Sequence, residues 1–162
     1  MPRLLPILGF LLATPFLVGC DATSIGELQR VFEFDAVGVP DGVSRTDARG
    51  NVLSEDDRDW RTAPVYSSQF TLTFLPYPNP ASPTESVQFA GTFSGSNGAL
   101  IPYRLTAQGD LSRIQAVTGS TEGTAPLFSF PAGQLGGPGL HRVVLLDRQG
   151  RIVTYGDVEV IP

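Results

Sequence analysis

The chain has 162 residues, and 16 acidic residues against 11 basic ones give it a formal net charge of −5 at pH 7. An acidic surface repels phosphate backbones, so we expect no nucleic-acid partner. Every basic residue is arginine and only one residue is cysteine, which excludes lysine Schiff-base chemistry, the lysine of a phosphate-binding loop and an internal disulfide.

The N-terminal segment is apolar and ends at the lone cysteine. Arg3 precedes an apolar run at residues 4–18, and the segment closes in Leu17-Val18-Gly19-Cys20. This pattern resembles a bacterial lipoprotein signal peptide with its lipobox. The resemblance implies that residues 1–19 are removed, that the Cys20 thiol carries a diacylglyceryl group, and that residues 20–27 are a lipidated tether. The alternative is an ordinary secretory signal followed by an unrelated thiol.

Residues 28–37 have two competing interpretations. Apolar residues occupy most even positions and polar residues most odd ones, a period of two that predicts a strand. Ser24 and Glu27 have the spacing of a capping box, which favours the start of a helix. Gly38 and Pro40 argue against a long helix, so we favour the strand, and one helical turn before it would reconcile the two interpretations.

Residues 39–64 are polar and rich in turn signals, which predicts a long acidic loop holding one short hairpin. Its five carboxylates are candidates for calcium binding, but their spacing does not follow the calcium-loop pattern and three arginines offset their charge. We therefore favour a solvated loop, pinned to the domain by Trp60 with its indole nitrogen bonded to backbone. The carboxylates are Asp47, Glu55, Asp56, Asp57 and Asp59, and the arginines are Arg49, Arg58 and Arg61.

After this loop, short alternating segments separated by Gly, Pro, Ser and Asn predict an all-β fold, a single antiparallel β-sandwich over residues 28–162. Pro102 cannot donate to a ladder, so we expect its strand to lie at a sheet edge or to carry a bulge. Residues 147–150 predict the turn of a closing hairpin, with Gly150 in the left-handed conformation. Strands are predicted at 70–74, 87–93, 101–105, 140–146 and 151–161, with weaker candidates at 114–117 and 127–130. Phe70, Leu72, Phe74, Phe89, Val144 and Leu146 are predicted to face the core.

The motif Tyr77, Pro78, Asn79 and Pro80, followed by an alternating strand, resembles the opening of the C-terminal sorting domains of the type IX secretion system. The resemblance covers residues 77–162 and implies a small immunoglobulin-like sandwich. It also implies an alternative function, that of a type IX secretion substrate or sorting domain exported to the cell surface. Only residues 20–76 would precede such a domain, so we favour a resident protein. Physically, the motif predicts a stiff corner in which the Asn79 amide bonds to neighbouring backbone.

Residues suited to catalysis are scarce. His141 is the sole histidine and falls in a predicted strand, where a structural role is favoured over that of a general base. No Gly-x-Ser-x-Gly nucleophile motif is present, and the glycine-rich residues 133–139 precede a strand instead of a helix. We therefore expect no catalytic residue, no metal site and no cofactor.

The sequence thus predicts a non-catalytic, lipid-anchored cell-envelope protein with a binding or scaffolding domain. Its partners would be a bacterial membrane, through the acylated Cys20, and an envelope protein. The outer membrane is favoured, although Asp21, directly after the lipobox, leaves the membrane and its face open.

Overall fold

A computed structural model of the chain describes residues 24–94, 100–119 and 127–162. Cys20 and the predicted signal peptide lie outside the described residues. The structure is mostly antiparallel β, as the sequence predicts. The elements of the described residues are the helix α1 (Ile25–Ala36) and the strands β1 (Arg45–Thr46), β2 (Val52–Ser54), β3 (Arg61–Thr62), β4 (Phe70–Tyr77), β5 (Ser86–Phe93), β6 (Ile101–Leu105), β7 (Leu111–Arg113), β8 (Val117–Gly119), β9 (Leu127–Pro131), β10 (Gly139–Leu146) and β11 (Ile152–Val160). Short 3₁₀ helices lie at Pro64–Tyr66 and Ala132–Gln134.

The strand predicted at residues 28–37 is wrong, because these residues form most of α1, which begins inside the predicted tether 20–27. Ser24 is the N-cap, and its side chain accepts a hydrogen bond from the Glu27 backbone amide at 3.2 Å. Phe32 and Ala36, four residues apart, are the buried pair that faces the core. Two residues four positions apart lie on the same side of a strand and also on the same face of a helix, so their spacing is consistent with both structures. The N-cap at Ser24 favours the helix.

The larger sheet has the strand order β3-β11-β10-β6-β7. Its centre is the β10–β11 hairpin, and the predicted turn at residues 147–150 is confirmed. The Asp147 carboxylate accepts hydrogen bonds from the backbone amides of Gln149 and Arg151, at 2.8 and 2.9 Å. Gly150 has a φ of +78°, the left-handed conformation that glycine adopts without steric cost.

Pro102 does not lie in an edge strand, because β6 sits between β10 and β7. Its carbonyl accepts a hydrogen bond from the Ile114 amide, one residue beyond the end of β7. In an antiparallel ladder the N–H and the C=O of one residue point to the same neighbouring strand. The position where Pro102 lacks an N–H therefore faces the end of β7, where pairing stops. The strand predicted at 114–117 is also wrong over most of its length, because the Gln134 side chain bonds both the amide and the carbonyl of Gln115 and replaces a strand partner.

The second sheet has the order β4-β5-β9-β8 and includes the predicted strands at 70–74, 87–93 and 127–130. The β4–β5 register shifts on both sides of Phe74, which breaks the alternation. The Phe74 side chain is consequently 51% exposed, and its predicted core position is wrong. Leu72 is half-buried, whereas Phe70, Phe89, Val144 and Leu146 are buried as predicted.

The two sheets and α1 share one hydrophobic core. Phe89 of β5 is completely buried and stacks on Phe128 of β9, with 5.1 Å between ring centroids. Trp60 lies 6.4 Å from Phe89, so the segment before β3 is packed into the same core. The loop at 39–64 holds the predicted short hairpin as β1 and β2.

Candidate functional site

The Tyr77–Pro80 motif forms a packed corner at the end of β4, with cis peptide bonds before Pro78 and Pro80. Asn79 is fully buried, and its amide nitrogen donates to the carbonyls of Ser44 and Asp157 at 2.8 and 3.0 Å. Its side-chain oxygen accepts from the Glu159 amide at 2.9 Å. The Asn79 amide therefore bonds to backbone, as predicted, but the partners are distant in sequence and lie on both sides of the motif.

A buried ion pair lies beside this corner. Arg142 and Asp157 are almost inaccessible, and the guanidinium Nε and Nη2 lie 2.5 and 3.0 Å from the two carboxylate oxygens. Arg142 also donates to the carbonyl of Asp35 in the last turn of α1, at 2.7 Å. Its guanidinium stacks on the Tyr155 ring, 4.8 Å from the centroid. Burial acts to lower the pKa of Arg142, but the hydrogen bond and charge of Asp157 more than offset it and raise that pKa.

Asp157 fixes the segment that follows α1. Its second oxygen accepts from the backbone amides of Asp41 and Gly42, at 3.1 and 3.4 Å. The Asp41 carboxylate in turn lies 3.2 Å from the Arg142 guanidinium. A buried Asp157 carboxylate without these partners would be costly, so the folded protein keeps the contacts. They attach residues 39–42 to the larger sheet.

The acidic loop is not uniformly solvated, because Asp59 points inward. Its oxygens accept from the backbone amides of Ser44 and Asp157, both at 2.7 Å. Burial raises the pKa of Asp59 to about 6, against the effect of these two donors. Asp47, in contrast, caps the 47–51 turn, where hydrogen bonds from Asn51 lower its pKa. The solvated-loop prediction is therefore wrong for Asp59.

Trp60 pins the loop as predicted, but its indole does so by packing alone. The side chain is buried, and its Nε1 has no hydrogen-bond partner within the described part of the chain. The predicted backbone partner is therefore not found. The ring lies against Gly156 of β11, where a Cβ atom would come within 2.4 Å of the indole.

An open cleft of about 600 Å³ lies between the end of α1, the β6–β7 turn and the start of β10. Arg104 contributes a cationic side chain, which donates to the Leu135 carbonyl at 2.8 Å. His141 is half-buried, and its Nε2 donates to the Gly137 carbonyl at 2.7 Å. No carboxylate occurs among the described residues that line the cleft. The apolar part of the lining consists of Val37, Val39, Pro40, Leu105, Ala107, Leu135 and Leu140.

The cleft has the composition of a binding site for a small ligand with an apolar part and an anionic group. Its histidine is engaged with backbone and has no carboxylate partner there, so a base oriented by an acid is not assembled in this cleft. Within residues 24–94, 100–119 and 127–162, no cluster of His, Cys, Asp and Glu has the geometry to hold a metal ion.

Comparison of the chain with protein-family profiles, curated proteins and solved structures gave no match. Among the described residues, no helix combines the length and the apolar character required to cross a bilayer.

Proposed function

We propose that the chain is a bacterial cell-envelope lipoprotein, anchored through an acylated Cys20, whose single immunoglobulin-like β-sandwich acts by binding or scaffolding and not by catalysis. The observation that carries the binding part of this proposal is the cleft, which combines apolar walls with Arg104 and has, among the described residues that line it, no carboxylate to activate its histidine. The two antiparallel sheets with one shared core support the sandwich. The outer membrane is the favoured location.

Anchoring is tested by the intact mass of the mature protein and by its membrane fraction. We expect an N-terminus at Cys20 that carries two or three acyl chains, because two or more chains make attachment nearly permanent. The variant Cys20→Ser should be released from the membrane. An unmodified N-terminus, or cleavage at another position, would refute the anchor.

Binding in the cleft is tested by native mass spectrometry of the lipidated protein as purified. A bound anionic amphiphile should be retained by the wild type and lost in Arg104→Gln, which keeps a polar side chain but removes the charge. Arg113→Gln is the matched control, because Arg113 is an exposed residue of the neighbouring β7 outside the cleft. Equal retention by both variants would exclude Arg104 from ligand binding.

The second candidate is a type IX sorting domain at residues 77–162, for which the support is that Asn79 and β11 belong to one folded unit. Against it, contacts from Asn79 and Arg142 reach Ser44 and Asp35, so the unit extends beyond residues 77–162. We expect a reporter fused ahead of the mature chain to stay in the envelope of a host with type IX machinery. Its appearance outside the cell, abolished by deletion of residues 140–162, would favour the sorting function.

A further inference from the structure

Exposed apolar side chains are concentrated at the N-terminal end of the described chain. Of the twelve large hydrophobic residues that are exposed in the described part of the chain, six lie within residues 25–39, so the apolar surface there is not a random scatter. Phe34 is the most exposed of these residues in α1, at 78%. Concentrated apolar surface of this kind marks a contact with another apolar body. The six residues are Ile25, Leu28, Val31, Phe34, Val37 and Val39.

The apolar surface of α1 points away from the core. At about 100° per residue, Phe34 lies about 160° around the helix from both Phe32 and Ala36, the two residues buried against the sheet. Val31 lies about 60° from Phe34 and is also exposed, whereas Leu28 lies about 40° from Phe32 and borders the buried face. Val31 and Phe34 form the exposed face of α1, here called the outer ridge. The outer ridge is separate from the groups that hold α1 to the domain, which are Phe32, Ala36 and the Asp35 carbonyl that accepts from Arg142.

The position of Cys20 identifies the body that covers the outer ridge. Cys20 and Ile25 are separated by five residue steps, which span at most about 18 Å of extended chain. An acyl group on Cys20 lies in the bilayer, so the first turn of α1 stays within that distance of the membrane surface. A bilayer is therefore available to the outer ridge wherever the protein is anchored.

The charges around the ridge are compatible with a headgroup layer. Arg58 and Arg61 line a cavity of about 220 Å³ beside Phe34 and Val39, where Arg58 pairs with Asp41 at 3.0 Å and Arg61 with Asp35 at 3.5 Å. These ion pairs leave little net charge beside the outer ridge, so insertion depends on its apolar side chains.

We propose that the outer ridge of α1 inserts into the surface of the membrane that holds Cys20 and so fixes the orientation of the β domain. This inference rests on the proposed acylation of Cys20. Insertion by about 5 to 10 Å, the usual depth for interfacial helices, would take the Phe34 ring into the acyl region while the sheets stay in water.

The test uses the full lipidated protein in vesicles whose lipids carry doxyl quenchers in their acyl chains. Since Cys20 is the only cysteine and is acylated, Phe34→Cys supplies a single free thiol for a fluorescent label. Val117→Cys is the matched control, because Val117 is 72% exposed on β8, an edge strand of the other sheet. We expect the label at position 34 to be quenched at least fivefold more strongly than the label at position 117.

Equal quenching at both positions in a protein that floats with the vesicles would overturn the inference and leave the anchor intact. Loss of flotation together with an unmodified mass would refute the anchor instead. If the label at position 34 were protected from solvent in detergent and the protein had the mass of a dimer, the ridge would be a contact with a second copy of the chain. That result would also overturn the inference. Phe34 is exposed, so its replacement leaves the core in place.

Discussion

Arg142 of β10 and Asp157 of β11 occupy directly opposed positions in the hairpin and form a two-point ion pair that is closed to solvent. The pair is also the junction at which α1 and residues 41–42 meet the sheet, through the Asp35 carbonyl and two backbone amides. Loss of either partner leaves a buried charge and several backbone groups without compensation. The stability of the N-terminal segment therefore depends on this pair.

Replacing one member of the pair should destabilise the protein strongly. We expect Arg142→Met to lower the free energy of unfolding by about 3 to 5 kcal/mol, because the Asp157 charge would remain buried and unpaired. Urea unfolding followed by Trp60 emission provides the measurement. The double variant Arg142→Met with Asp157→Leu should lose less than the sum of the single variants.

Arg45→Met is the matched control for this prediction. Arg45 pairs with Glu159 on the same strand as Asp157, but Arg45 is exposed and Glu159 is only half-buried. The expected loss is below about 1 kcal/mol, as for other surface pairs. A comparable loss in both arginine variants would contradict the role assigned to the buried pair.

Asp59 should make stability fall as the pH rises from about 4 to 6. Burial raises its pKa in the folded protein from 3.8 to about 6, so the folded state binds the proton more tightly in this range. Its contribution to stability is fully present below the unfolded pKa and is lost as the pH rises through the folded pKa. One proton contributes at most about 1.4 kcal/mol per pH unit.

The measurement compares the pH dependence of unfolding in the wild type and in Asp59→Asn, in which this slope should be absent. Asp57→Asn, at an exposed position of the same loop, should retain the wild-type slope. Asp147 has a lowered pKa and stabilises in the opposite sense, so only the difference between the variants isolates Asp59. An unchanged slope in Asp59→Asn would show that its carboxyl titrates normally.

Gly156→Ala should disrupt the contact between Trp60 and β11. A Cβ atom at Gly156 would lie 2.4 Å from the indole ring and 2.5 Å from an Asp59 oxygen, so one of these groups must move. We expect a loss of about 1 to 3 kcal/mol and a changed near-ultraviolet dichroism of Trp60. Gly137→Ala, where a Cβ meets no atom within 4 Å, should stay within about 0.5 kcal/mol of the wild type.

Phe89 and Phe74 should differ sharply, although both lie in the same sheet. Phe89→Ala should cost about 3 to 5 kcal/mol, because the side chain is fully buried between other aromatic rings. Phe74→Ala should cost only about 0.5 kcal/mol, because the side chain is half in solvent. Thermal unfolding of the two variants tests the pair, and equal losses would show that the register shift in β4 is incorrect.

Local sequence patterns predicted the regularly alternating strands. They also predicted the closing turn, because the residues that form it, Asp147 and Gly150, lie within four positions of each other. The Phe74 position was missed because a bulge depends on the partner strand, which the sequence of β4 alone does not describe. Helix α1 was missed because the spacing of Phe32 and Ala36 serves both structures, and the capping evidence from Ser24 was given less weight than the alternation.

The candidate site was less predictable than the strands. Arg142 and Asp157 are charged residues inside two apolar strands joined by a predicted turn, and that juxtaposition was the available signal for a buried pair. Asp59 offered no such signal, because its environment is created by Ser44 and by β11, which lies almost 100 residues later. The cleft is built from three separated segments, so no local pattern contains it.

The dependence of the N-terminal segment on Asp157 also sets an order for biosynthesis. The partners of Asp157 at residues 41, 42 and 59 lie 116, 115 and 98 residues earlier in the chain. At a synthesis rate of about 5 to 20 residues per second, these residues wait about 5 to 20 s for the strand that secures them. Throughout that interval residues 41, 42 and 59 lack their Asp157 partner, so the N-terminal segment is undocked from the sheet until the last strand is made.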